Sequence, residues 1–224
     1  MHRLVQTVLR DGMDGEMQRE WAERTVRAVN AAFPEVTFNT WTHCELLLPH
    51  AQACAELIEQ YEFRFPEAAR LLDHAGSYLR DRALYEQAMP FLQQALAIYE
   101  HALGPEHAQT ASTLSNLAQV YYLQGHYDQA ESLLQRALTI CEDALGTEHL
   151  ETAVILYHLE WLYYLQRKYK LGELLAHRTV AIREKALGPE HSETADAFID
   201  LASLYQAQGK YEPAEPLYQR ALAI

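Results

Sequence analysis

The sequence predicts an all-α protein, an α-α superhelix of stacked antiparallel helix pairs. Three observations point there. The chain repeats itself with a period of 42 residues, a shift that aligns Tyr85, Tyr127, Tyr169 and Tyr211, and then Leu96, Leu138, Val180 and Leu222. The pairs Leu103-Gly104, Leu145-Gly146 and Leu187-Gly188 fall into the same register. A fixed period of this size marks units that each bury one face by stacking on a neighbour. Within each unit the apolar residues recur at helical spacing. A hydrophobic content of 49% with only 9 glycines and 8 prolines fits folded helices and argues against extensive disorder.

Taken in order, Met1 to Arg10 places Leu4, Val5, Val8 and Leu9 on one face of a helix too short to hold alone in water. Residues 1–15 therefore read as a remnant or linker helix, broken by Asp11-Gly12-Met13-Asp14-Gly15. Residues 16–65 read as divergent helical hairpins. The first helix, Glu16 to Phe33, should turn Trp21, Ala22, Val26, Val29 and Phe33 to the core and stop at Pro34. Thr40 is the expected N-cap of the next helix, which passes Cys44, Leu47, Leu48 and Leu57 and ends near Phe63. Pro49 lies inside it and should kink or divide it. Pro66 suits a first helical turn.

Residues 66–224 hold four units, at 66–106, 107–148, 149–190 and 191–224, the last truncated. In the second unit, helix A runs from about His107 to Leu123 and buries Leu114, Leu117 and Tyr121 around the small Ala118. Gln124-Gly125 turns the chain. Helix B starts near Tyr127 and buries Ala130, Leu133, Leu134, Ala137, Leu138, Ile140 and Cys141, and Gly146 should end it in a left-handed conformation. Small residues mark close crossings: Gly76, Ala118 and Ala202 on A helices, Ala88, Ala130, Gly172 and Ala214 on B helices. Pro90 and Pro216 should be tolerated near the start of helix B, where few backbone hydrogen bonds exist. The third unit departs from the others. Glu160 stands where Ala118 does, Arg167 replaces the turn glycine Gly125, and Gly172 replaces Ala130. A carboxylate in a tight crossing needs a partner or water, so this unit is expected to be locally bent or wetter, an exception that serves binding.

Leu114-x2-Leu117-Ala118-x2-Tyr121, followed by Ala130-x3-Leu134 and Ala137, resembles the tetratricopeptide repeat. The 42-residue period and the linkers LGPEH at 103–107 and 187–191 and LGTEH at 145–149 resemble its longer, kinesin-light-chain-like variety. The resemblance covers about Pro66 to Ile224. It implies a right-handed solenoid in which the free face of the A helices lines a concave peptide-binding groove. That face offers Asp73, Ser77 and Arg80, then Ser115, Asn116, Gln119 and Tyr122. It continues with Tyr157, His158, Trp161 and Tyr164, and with Ile199, Asp200, Ser203 and Gln206. Asn116 matches the family's groove asparagine, which holds peptide backbone. Its counterparts are His74, His158 and Asp200, so the role carries over to Asn116 alone. Tyr157, Trp161 and Tyr164 form an aromatic patch of the kind favoured for binding anchors.

A second stretch, HRLVQTVLRD (2–11), the Trp21 helix and CELLLPHAQAC (44–54), resembles the segment joining the nucleotide-binding module to the repeats in bacterial NB-ARC/STAND-type signalling ATPases. There the first part closes a winged-helix domain, which implies that this chain is the sensor arm of a larger protein. The ATPase motif GxxxxGK[ST] does not occur in it.

The charge balance, 18 Lys+Arg against 31 Asp+Glu, gives a net charge of -13, which disfavours nucleic acid and favours a basic or neutral protein or peptide partner. No apolar run approaches the roughly 18 residues of a membrane span, and the N-terminus lacks the pattern of a secretion signal. Three cysteines, Cys44, Cys54 and Cys141, form no CxxC pair and suit a reduced, cytoplasmic setting. His107, His149 and His191 repeat in the linkers, but equivalent points in stacked helices lie about 10 Å apart, so they cannot share a zinc ion and are expected to begin the A helices. His43, His50 and Cys54 share a helical face by spacing without an evident fourth ligand, and a packed interface is the preferred reading. GxSxG, HExxH and GxGxxG are absent, so neither enzyme chemistry nor a cofactor is expected. The alternative to peptide binding is self-association, a homo-oligomer formed through the uncapped last repeat, where Leu217, Ala221 and Leu222 lack a following unit.

Overall fold

The computed structural model describes residues 12–224, so the helix expected at Met1 to Arg10 lies outside them. The chain divides into two compact units, Met1–Pro105 and Glu106–Ile224. Among the described residues it is all-α, with ten α-helices joined by short turns.

The first unit contains α1 (Gly15–Ala32), a short 3-10 turn at Phe38–Thr40, α2 (Trp41–Gln60), α3 (Pro66–Asp81) and α4 (Tyr85–Ala102). Asp14 caps α1, its carboxylate accepting from the Met17 N–H at 2.8 Å. Ala22, Val26 and Phe33 enter a core with Cys44, Ala51, Cys54, Ile58, Leu72 and Ile98. Trp21, expected inside, is 50% exposed. One residue from Ala22 is about 100° around a helix, which carries the indole off the stripe and under the Arg24 guanidinium. Arg19 and Arg27 fasten α1 to the α2–α3 connection by lying over the rings of Phe63 and Phe65. α2 runs unbroken through Pro49, contrary to a division there. Thr40 holds the N-cap position without capping by its side chain. Its hydroxyl instead donates to Glu35 O at 2.6 Å. The two histidines expected beside Cys54 are exposed while Cys54 is buried, so the three do not converge. Pro90 is the sixth residue of α4, and Pro216 holds the same place in its own helix. Both helices run through their prolines, as expected, although each proline lies past the four free N–H groups of a helix start and so removes one bond from the ladder.

The second unit comprises three antiparallel pairs: α5 (Ala108–Leu123) with α6 (Tyr127–Leu145), α7 (Leu150–Leu165) with α8 (Tyr169–Leu187), and α9 (Ser192–Ala207) with α10 (Tyr211–Leu222). Each pair packs on the next, and α5 also touches α7. The linker histidines begin the A helices and do more than mark them. Nδ1 of His107, His149 and His191 accepts the N–H of Gln109, Glu151 and Glu193 at 3.2, 3.1 and 3.2 Å, so each imidazole serves as the N-cap acceptor. Thr152 and Thr194 add a second tie, their hydroxyls donating to Gly146 O and Gly188 O at 2.9 and 2.8 Å. Gly146 itself has φ 101 and ψ 156. That lies outside the left-handed helical region expected for it, in a mirror-extended region open essentially to glycine alone.

The A–B turns share one geometry. Gly125, Arg167 and Gly209 all have positive φ, and the next residue's N–H returns to Tyr121 O, Tyr163 O or Tyr205 O at 2.8–2.9 Å. This is the bond of a Schellman ending. Adjacent pairs are stitched by ion pairs that repeat with the period. Lys168 meets Glu131 at 3.2 Å and Lys210 meets Glu173 at 2.8 Å. Arg178 meets Glu142 at 2.7 Å and Arg220 meets Glu184 at 2.6 Å.

Candidate functional site

Leu156, Leu159 and Leu162 pin α7 into the core. This leaves Trp161 39% exposed and stacked on Tyr164, with ring centroids 5.4 Å apart and planes 8° apart. Tyr164 in turn tilts onto Tyr169 at 5.6 Å. Tyr157 and His158 are half-buried neighbours with rings 5.1 Å apart. On α5, Asn116 and Gln119 are half-buried, and the Gln119 amide donates to Asn116 Oδ1 at 3.4 Å. On α9, the half-buried Ser203 donates to Ile199 O at 2.8 Å and lies 3.2 Å from the Tyr218 hydroxyl. That hydroxyl donates to the exposed Gln206 at 3.0 Å. Three expected surface residues are not available. Tyr122, Ser115 and Ser77 are buried, because they lie beside the packing stripe of their helices, close enough for the neighbouring helix to cover them. Tyr121 and Leu133, expected in the core, are only half-buried. Leu138 is likewise half-buried but packs against the core through Ala153 and Leu156.

Beside the aromatic patch, Tyr157, Arg183, Asp196, Ile199 and Asp200 wall a cleft of about 320 Å³. Arg183 is 8% exposed. One of its terminal nitrogens donates to Glu193 O at 2.8 Å, its Nε stands 4.0 Å from the Glu193 carboxylate, and Nε has no hydrogen-bond partner. Glu160, one turn along α7 from Tyr157, is 4% exposed, and its Oε2 is likewise buried without a partner. Burial, and then the Asp200 charge, push the Glu160 carboxyl up to about 9 against the opposing pull of Arg183. Asp200 is pushed up to about 6, by burial first and by Asp196, with Arg183 again opposing. At neutral pH Glu160 is therefore an uncharged acid. The Glu160 carboxyl is enclosed in the α7 crossing, and its Oε2 has no hydrogen-bonding partner in the protein. The room that Gly172 leaves is taken first by the Leu204 side chain. A Cβ on it would stand 2.9 Å from Leu204 Cδ2 and 3.5 Å from the Glu160 carbonyl oxygen.

Sequence reasoning singled out Tyr157, Glu160, Ile199 and Asp200 but missed Arg183 and Asp196. A signal for Arg183 was present. The 42-residue shift places it with Tyr99 and Cys141, and all three are buried. The third copy thus carries Glu160 and Arg183, an acid and a base, at two positions that its sister copies fill with small or apolar-bodied residues.

A family model for the tetratricopeptide repeat matches residues 67–143, 127–171 and 168–224. Nephrocystin-3 of Xenopus laevis is 40% identical over 60 residues, a match that takes in 27% of this chain and 5% of that protein. The nearly identical TPR-like repeats of a Podosopora anserina kinesin light chain superpose with a TM-score of 0.67 at 20% identity, covering 93% of each chain. A Rap protein complexed with Competence and Sporulation Factor superposes with a TM-score of 0.69 at 21% identity, covering 82% of this chain and 49% of that one. At such identities the structural likeness is one of fold. Among the described residues, no helix is long and apolar enough to cross a membrane.

Proposed function

The chain belongs to the tetratricopeptide repeat family, and on that premise we propose that it is a protein- or peptide-binding scaffold whose ligand face is formed by the A helices α5, α7 and α9. The family's fold is typically an interaction scaffold and generally not an enzyme. The observation that carries the reading is the Trp161–Tyr164 stack. A large aromatic pair held rigid by its own helix, yet open to solvent, suits a binding anchor. Asn116 with Gln119, Tyr157 with His158, and Asp200 with Ser203 and Gln206 supply polar groups on either side of it along the same set of helices. The Rap protein of this fold, seen in complex with a bound factor, supports a partner-binding role.

The test is capture of peptides from a random-sequence display library by the wild-type chain and by the Trp161→Ala/Tyr164→Ala variant. Anchor residues of this kind are worth about 2 kcal/mol or more, so the variant should lose capture by well over tenfold while its helicity and melting stay intact. Unaltered capture refutes the reading. Its placement as the sensor arm of an NB-ARC-type ATPase rests on the resemblance of residues 2–11 and 44–54. The flanking reading frame tests that placement: an encoded ATPase module supports it, and its absence overturns it.

A further inference from the structure

We propose that the cleft walled by Tyr157, Arg183, Asp196, Ile199 and Asp200 receives one cationic side chain, a guanidinium or a primary ammonium, from a peptide lying across α7 and α9. The inference rests on the peptide-binding reading and adds to it a charge requirement and a linked proton.

Two independent features meet at this place. The first is the cleft itself, at about 320 Å³ near the small end of ligand sites, which run from about 300 to 1,000 Å³. That is room for one long side chain. The second is Glu160, one turn along α7 from Tyr157 and more than nine-tenths buried, whose Oε2 is left without a hydrogen-bond partner. Buried polar atoms are almost always satisfied, and one left open asks for an explanation such as an absent ligand.

The charge count decides the sign of that ligand. The groups facing one another are Tyr157 and Glu160 from α7, Arg183 from α8, and Asp196 and Asp200 from α9, with Glu193 at the start of α9. Arg183 is already committed to Glu193 by its bond to the carbonyl and its approach to the carboxylate. Asp196 and Asp200 in the cleft wall are left without a cation of their own, beside the neutral Glu160 carboxyl. A guanidinium offers five N–H donors and an ammonium three, and either would meet the aspartates directly.

A proton is linked to this event. Glu160 holds its proton in the free protein because burial and Asp200 disfavour its charge. A cation entering the cleft reverses that field, and the Glu160 proton leaves to solvent as the cation arrives. The bound state then holds fewer protons than the free one, so affinity rises with pH until the free protein's Glu160 is itself ionised, near 9. The rise approaches about tenfold per pH unit for one proton released.

The experiment uses the full chain labelled at isoleucine δ1 methyls and tryptophan indoles, titrated with acetyl-Ala-Arg-Ala-amide and with its uncharged citrulline twin. The Ile199 methyl should shift saturably with the arginine peptide and not with the citrulline one. The Asp196→Asn/Asp200→Asn variant should lose that shift. Glu160→Gln should keep the binding and flatten its pH profile above about pH 7, leaving only the rise near 6 that Asp200 contributes, an outcome that a merely structural role for Glu160 would not produce. Equal response to both peptides, or no response at Ile199 up to the solubility limit, overturns the proposal. The groove reading stands or falls separately, on library capture through Trp161 and Tyr164. Capture that depends on those rings but shows no preference for Arg or Lys leaves the groove standing and removes the cation cleft.

Discussion

Replacing Glu160 by glutamine should stabilise the protein above about pH 5.5, and increasingly so as the pH rises to 8. The magnitude follows from the environment of the carboxyl. An exposed glutamate loses its proton near 4.5, whereas burial holds Glu160 protonated up to about 9. Between those values the unfolded chain has released a proton that the folded chain retains. Raising the pH therefore favours unfolding by about 1.36 kcal/mol for each pH unit. This group's contribution is fully present below 4.5 and is lost progressively as the pH climbs toward 9. At pH 7 the accumulated loss is about 3 kcal/mol. Glutamine has nearly the same shape and no proton to retain, so it removes this term. Its amide brings N–H groups that the site must satisfy, a cost of about 1 kcal/mol, which leaves a net gain of about 2 kcal/mol at pH 7. The assay is urea unfolding followed by far-ultraviolet circular dichroism, for wild type and variant, from pH 4 to 8. The variant should be about 1 kcal/mol less stable at the acid end, and the curves should cross just above pH ~5 and diverge with increasing pH. Parallel curves, or a variant less stable at pH 7 than at pH 4.5 relative to wild type, refute the account of Glu160 as a buried neutral acid.

Four further outcomes are expected. Arg167→Gly should stabilise the α7–α8 turn by about 1 kcal/mol in urea unfolding, because Arg167 sits at φ 59 where the sister units carry Gly125 and Gly209. Gly76→Ala should destabilise more than Gly172→Ala, toward the upper part of the usual overpacking range of about 1–3 kcal/mol. A methyl at Gly76 meets Leu92 Cγ at 2.7 Å and Phe91 Cβ at 3.2 Å, whereas at Gly172 it meets chiefly the movable end of Leu204. His149→Ala should cost about 1 kcal/mol of thermal or urea stability through loss of the N-cap bond to Glu151, and His149→Asn should restore most of it. Thr152→Val should cost a similar amount, about 1 kcal/mol, because Gly146 O loses its hydroxyl donor.

The helix pairs, their turns and their close crossings were legible in the sequence because those signals act locally. An apolar residue every three or four positions, a glycine after a helix and a proline at a first turn each constrain the backbone within a few residues. Copies in register repeat the message. The histidines at 107, 149 and 191 were correctly placed at helix starts, although their role as acceptors needed the side-chain geometry. The reading failed at the edges of the stripes. Trp21 proved exposed, and Tyr122, Ser115 and Ser77 proved buried. A neighbour in sequence is about 100° away around a helix, and a small rotation of the helix in its packing decides which side such a residue takes.

The sequence by itself determined that this is a repeat protein, where the two helices of the second unit begin and end, and which copy breaks the pattern. The tertiary structure alone decided what the exceptions do together. Glu160, Arg183 and Asp200 come from three different helices, and nothing in their spacing along the chain brings them into one place. The same holds for the pairs Glu131–Lys168 and Glu173–Lys210, whose partners are 37 residues apart and which sequence alone presents only as scattered surface charge. Local hydrogen bonds and apolar periodicity fix a helix from within. The partner across a crossing is fixed only when the helices have packed, because packing sets the rotation and distance at which side chains from separate helices meet.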